Sequence, residues 1–171
     1  RGAAHARPAA RRRRLNLLVV IPARAGSTRL PRKPLRLIAG RTLLHRTIAM
    51  ARAAIAGRAG VGLIVATDDE AIADHARMAG CDAVLTDSAI ATGSGRALAA
   101  ALSLPQAPRF VVNRQGDSPF QPEGALAAVI AALEAGAEVA TPVIALDWAA
   151  LDALRDHKTR SPFSGTTCVR G

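Results

Sequence analysis

Residues 21–35 read IPARAGSTRLPRKPL, which sets four cations, Arg24, Arg29, Arg32 and Lys33, around Gly26, Ser27 and Thr28. Glycine lets a ligand approach the backbone closely. The two hydroxyls offer hydrogen bonds, and Arg24, Arg29 and Lys33 can each meet a phosphate oxygen. The chemistry suited to such a set is triphosphate binding, with positive charge stabilising the charge that develops during phosphoryl transfer. The segment matches neither GxxxxGK[ST] nor GxGxxG. A solvated basic loop would carry the same charges.

Three further segments hold chemistry-bearing residues. Residues 111–119, VVNRQGDSP, end in Asp117. A lone carboxylate there can hold Mg²⁺ together with phosphate oxygens and water, or it can close a Gly-Asp turn. Residues 64–69, IVATDD, offer Asp68 either to a ligand pocket or to a helix cap worth ~1 kcal/mol, while Asp69 and Glu70 read as first-turn residues of a helix. In residues 91–98, ATGSGRAL, the small Thr92, Gly93 and Ser94 would let the backbone approach a base, or simply form a loop-to-helix junction. His45, His75 and His157 are isolated, and no Ser-His-Asp or Cys-His order stands out.

The elements that must position these residues alternate. A continuous apolar run at 17–21, stopped by Pro22, suits a buried parallel strand. A helix over 42–55 ends at Gly57 and Gly60. Strands follow at 61–66, 83–85, 109–113 and 139–144, with helices at 67–79, 94–102, 122–134 and 148–155. Such alternation implies a parallel sheet covered on both faces, with ligands at the carboxyl ends of the strands. The chemistry-bearing segments fall mainly after the first, second and fourth strands.

Residues 21–35 closely resemble the N-terminal signature IPARxxSTRLPxKPL of sugar-acid cytidylyltransferases, above all those acting on 3-deoxy-manno-octulosonate (Kdo). Arg32 stands where that signature usually has glycine, and Arg32-Lys33 is similar to the sialic acid relatives. Residues 64–69 look like the family's VATD segment. Residues 91–98 resemble its SGT[DE]R segment, with Gly95 at the acidic position. Residues 111–119 resemble its VNxQGDxP segment, with Arg114 where an apolar residue is usual and Ser118 where Glu is common. Gln115-Gly116-Asp117 favours Kdo over sialic acid.

The resemblance implies an α/β, Rossmann-like nucleotidyltransferase fold, its mostly parallel sheet sandwiched by helices. It implies transfer of CMP from CTP to Kdo, with release of pyrophosphate, for lipopolysaccharide synthesis. Arg24 and Lys33 would be catalytic. Pro22, Ala23, Arg24, Gly26, Ser27, Lys33, Asp68, Thr92, Gly93, Ser94 and Gln115 would surround the nucleotide, and Asp117 would hold Mg²⁺. Family members are longer and work as homodimers. Residues 15–171 are therefore expected to form a nucleotidyltransferase domain incomplete at its C-terminus, with little turnover alone. A CTP-binding but inactive remnant and a sialic acid enzyme are the alternatives.

Composition narrows the classes. Of 171 residues, 50% are hydrophobic, enough for a sizeable core. Aromatics are 2% and Tyr is absent, which argues against modules that stack bases on aromatic rings. The net charge is +10, but residues 1–14 carry six arginines and no acid. That leaves 17 basic against 13 acidic groups, a net +4, over 15–171. Residues 1–14 read as a disordered basic arm, and a nucleic-acid binder using it is the distant alternative. Cys81 and Cys168 form no CxxC pair and no zinc spacing, which suits a reducing cytoplasm. Every apolar run falls short of the ~20 residues of a membrane helix, and no cleavage site follows the apolar stretch 15–22.

Overall fold

The computed structural model describes residues 15–26, 30–122 and 124–162. The expected arm at 1–14, Ser27, Thr28, Arg29 and Cys168 lie outside the described residues. The strands are β1 (Leu17–Ala23), β2 (Leu37–Ile38), β3 (Arg41–Thr42), β4 (Val61–Thr67), β5 (Asp82–Leu85) and β6 (Phe110–Asn113). The helices are α1 (Leu43–Ile55), α2 (Glu70–Met78), α3 (Gly93–Leu102), α4 (Ala125–Glu134) and α5 (Trp148–Arg160).

Four strands form one parallel sheet in the order β5-β4-β1-β6. β1 lies inside it and is buried on both faces, which is why its sequence is an unbroken apolar run. Leu17, Val19, Ile21 and Ala23 point to the side of α1, α2 and α4, where Leu44, Ile48, Ile72 and Ile130 meet them. Leu18 and Val20 point to α3, whose Ala97, Ala100 and Ala101 are small enough for close packing. The expected sandwich is thus present.

Helices α1, α2 and α3 each start where a side-chain oxygen takes up a free N–H. Thr42 Oγ1 accepts from His45 N at 3.1 Å, Asp69 from Ile72 N at 3.0 Å, and Thr92 from Gly95 N at 3.0 Å. Asp69 therefore caps α2, leaving Asp68 free for other work.

The structure departs from the sequence reading in two places. Residues 139–144 are not a strand: Val139 is 87% and Ile144 74% exposed, and no described residue pairs with the outer edge of β6. β-branched apolar residues suit a strand, but a strand also needs a ladder partner. The second difference is the β2–β3 hairpin, absent from the sequence reading. Its turn holds Ala39 at φ 46° and Gly40 at φ 74°, and the Arg46 guanidinium binds the carbonyls of Ile38 and Ala39.

Candidate active site

The chain runs outward from β1 through β4 to β5, then crosses back on the other face to place β6 on the far side of β1. The order therefore reverses between β1 and β6, and open α/β sheets bind ligands at the carboxyl ends of the strands at such a point. There the described residues form a cleft of about 660 Å³. Pro22, Ala23 and Arg24 lie on its floor, with Leu30, Lys33 and Pro34 to one side. Thr92 and Gly93 form the start of α3, and Gln115, Gly116 and Asp117 follow β6.

Local sequence explains the shape. β1 pairs with β6 only as far as Val20 opposite Asn113, and Arg114 N donates to Val20 O at 2.8 Å. Beyond that the strands diverge, so Pro22 leaves no ladder donor missing on that side. Gly116 fills the gap: a Cβ there would lie 2.6 Å from Pro22 O. Thr47 Oγ1, fully buried on α1, donates to Gly116 O at 3.2 Å. Gly93 also meets Pro22, since a Cβ on it would be 3.3 Å from Pro22 Cγ.

Arg24 and Lys33 both line the cleft. Arg24 is exposed on the cleft and makes no ion pair among the described residues. Lys33 begins a short 3-10 turn, Lys33–Leu35, with Pro34 buried beneath it. Its Nζ donates to Asp117 Oδ2 at 2.9 Å. That hydrogen bond holds the Asp117 carboxyl below its ordinary range, so the group is ionised at neutral pH. Arg32, immediately before, has φ 50° and ψ 36°, the left-handed conformation. That geometry accounts for a position where the resembling signature favours glycine.

Three expected site residues lie elsewhere. Gly26 does not line the cleft. Ser94 Oγ accepts from Asn113 Nδ2 at 3.3 Å and faces a neighbouring hollow along β6. Asp68 is nearly buried beneath the cleft wall, its Oδ1 accepting from Ala25 N at 3.1 Å and its Oδ2 from Arg96 Nη2 at 3.0 Å.

Two arginines were not singled out for the site by sequence. Arg96, 2% exposed, was visible only as the lone charge opening an alanine-rich helix. Arg114, 4% exposed, turns inward and donates to Ser118 O at 2.9 Å, bracing the loop that carries Asp117. Burial lowers its pKa. Among the described residues no group of three His, Cys, Asp or Glu could hold a metal ion. Asp117 is one half-exposed carboxylate on the cleft, a donor that suits Mg²⁺ shared with phosphate oxygens and water.

The family model described as Cytidylyltransferase matches residues 18–157. The 3-deoxy-manno-octulosonate cytidylyltransferase of Maricaulis maris is 41% identical over 157 residues, covering 91% of this chain and 60% of that protein. Its counterpart from Anaeromyxobacter dehalogenans (strain 2CP-1) is 46% identical over 127 residues, 74% of this chain and 50% of that protein. The solved CMP:2-keto-3-deoxy-manno-octonic acid synthetase, complexed with CTP, superposes with a TM-score of 0.62 at 28% identity. That match covers 70% of this chain and 48% of the other. The chain thus spans 50% to 60% of the length of these curated relatives. By the fold, the cleft at the reversal of strand order and the family match over residues 18–157, this chain belongs to the cytidylyltransferase family.

Proposed function

We propose that this chain binds CTP in the cleft and serves the transfer of CMP to Kdo, with release of pyrophosphate. The observation that carries the reading is the meeting of Arg24, Lys33 and Asp117 with the Thr92–Gly93 backbone at the carboxyl ends of β1 and β6. Relatives named as 3-deoxy-manno-octulosonate cytidylyltransferases support the sugar, and the CTP complex of the structural relative supports the nucleotide.

The sugar's anomeric hydroxyl would attack the α-phosphorus in line with the leaving pyrophosphate. Such a step depends on positioning and on neutralising charge more than on a protein nucleophile. Arg24, open to the cleft, would meet a phosphate oxygen directly. Lys33 would exchange Asp117 for phosphate when the nucleotide enters. Asp117, so released, would hold Mg²⁺, which supplies charge neutralisation across phosphate oxygens. Thr92, Gly93 and Gln115 would frame the cytidine.

The product would serve lipopolysaccharide assembly in the cytoplasm. The Cys81 thiol is buried and its pKa is pushed up to about 11 by desolvation, so it stays protonated and unreactive at neutral pH. No helix among the described residues is long and apolar enough to cross a membrane.

Calorimetric titration of CTP with Mg²⁺ into the parent chain and the variants Arg24→Ala, Lys33→Ala and His45→Ala tests the reading. Hydrogen bonds to charged groups are worth ~1.5–3 kcal/mol. The first two variants should weaken binding by about that much and the third should leave it unchanged. Equal binding by all four would make residues 24–33 a solvated basic loop.

A further inference from the structure

Asp68 lies outside the cleft lining, and Arg96, which reaches the cleft, is committed to protein acceptors. Their side chains are 12% and 2% exposed, and they form an ion pair across 28 positions of sequence. Around that pair three parts of the cleft wall are tied together. Asp68 Oδ1 accepts the Ala25 N–H at 3.1 Å, one residue past Arg24. Arg96 Nη2 also donates to Ile90 O at 3.1 Å, in the loop leading to Thr92. Arg96 Nη1 donates to Thr86 Oγ1, whose own hydroxyl donates to Thr67 O, at the end of β4, at 3.1 Å.

We infer that Asp68 and Arg96 act together as positioning residues, locking the Arg24 loop to the Thr92 loop and so fixing the width of the nucleotide cleft. This rests on the CTP reading of the cleft, and it assigns Asp68 a role without contact to nucleotide. A guanidinium suits the task because its planar fork reaches several acceptors at once, which a lysine ammonium on a flexible stem does not. Asp68 suits it because one oxygen serves the Arg24 loop and the other Arg96 of α3. The covalent connection between the loops runs through β2, β3, α1, β4, α2 and β5, whereas the side-chain route is two residues long. Charge-assisted hydrogen bonds in a nearly buried setting are stronger than neutral ones, which gives that route rigidity.

The test uses the whole chain and the variants Asp68→Asn, Arg96→Gln and the double variant. Asn keeps the shape of Asp but would turn a donor toward Arg96. Amide hydrogen exchange is read first, without nucleotide. Ala25 and residues 90–92 should exchange at least ~10-fold faster in each variant, while β1 and α1 keep parental protection. CTP affinity is then read below the melting range of every variant. Each single variant should lose ~10-fold, and the double variant no more than either, since one coupled unit is removed once. The conservative Arg96→Lys should recover only part of the loss. Parental exchange at Ala25 and residues 90–92 overturns the inference, whether or not CTP binds. Parental CTP affinity in folded variants also overturns it, because it would make the pair a stabilising contact alone. Absence of CTP binding by the parent would instead sink the nucleotide reading and leave the exchange result to decide the tether.

Discussion

Lys33 and Asp117, 84 residues apart in sequence, meet at 2.9 Å across the mouth of the cleft. One is the cation expected to meet phosphate, the other the carboxylate expected to hold Mg²⁺. Without ligand each satisfies the other. Nucleotide and metal would therefore enter by separating a pair that already has the right charges in place.

The pair has a pH signature. Lys33 holds the Asp117 carboxyl below its ordinary carboxylate range. A depressed folded value means the contribution is present above the unfolded pKa and is lost as pH falls through the folded one. Both side chains are more than a third exposed, so solvent screening keeps the contribution under ~1 kcal/mol. Carboxyl NMR titration should show Asp117 moving up in Lys33→Ala. An unmoved titration would remove the pair from solution.

Asp117→Asn should cost less than ~1 kcal/mol of stability in urea, for the same reason. It should abolish any strengthening of CTP binding by Mg²⁺. Binding that still gains from Mg²⁺ in this variant would place the metal on other groups.

The left-handed backbone at Arg32 and Ala39 stores strain, with φ 50° and 46°. Side chains with a Cβ lose roughly 1–2 kcal/mol there, and glycine returns part of that as chain entropy. Arg32→Gly and Ala39→Asn should each stabilise the chain by about 0.5–1 kcal/mol. The second would give the hairpin the Asn-Gly pair its turn prefers. Chemical denaturation with lower midpoints for both would contradict the backbone assignment.

Gly116→Ala should do the opposite. The added Cβ would fall 2.6 Å from the Pro22 carbonyl oxygen, and backbone cannot step aside as a flexible side chain can. Overpacking of this kind costs ~1–3 kcal/mol, and the displaced loop carries Gln115 and Asp117. Parental stability and parental CTP binding together would show that β1 and the loop do not approach so closely.

The two inner strands were legible because they are largely buried: apolar runs at 17–21 and 61–66 have few other uses, and Thr42, Asp69 and Thr92 mark helix starts by their chemistry. The strand expected at 139–144 failed because apolar pattern reports burial and β-propensity, not the presence of a partner strand. The β2–β3 hairpin escaped notice because each strand has two residues and its turn begins with Ala39, not with a typical turn residue. Within the site, Arg24, Lys33 and Asp117 were legible from residue type and position after strands. The partners of Asp68, Arg96 and Arg114 were not legible, because an arginine or aspartate reads as exposed until the distant atom that satisfies it is known. Those atoms lie in Ala25, Thr86, Ile90 and Ser118.

The central claim is a cleft built for cytidine triphosphate, and the most direct measurement is thermal unfolding with CTP and with ATP, each with Mg²⁺. A ligand held by the native state alone adds RT ln(1 + [L]/Kd), ~2.7 kcal/mol at a hundredfold excess over Kd. CTP is expected to raise the melting temperature accordingly, with ATP at the same concentration giving a clearly smaller shift. Equal stabilisation by CTP and ATP would contradict a cytidine pocket and leave only a site for triphosphate charge.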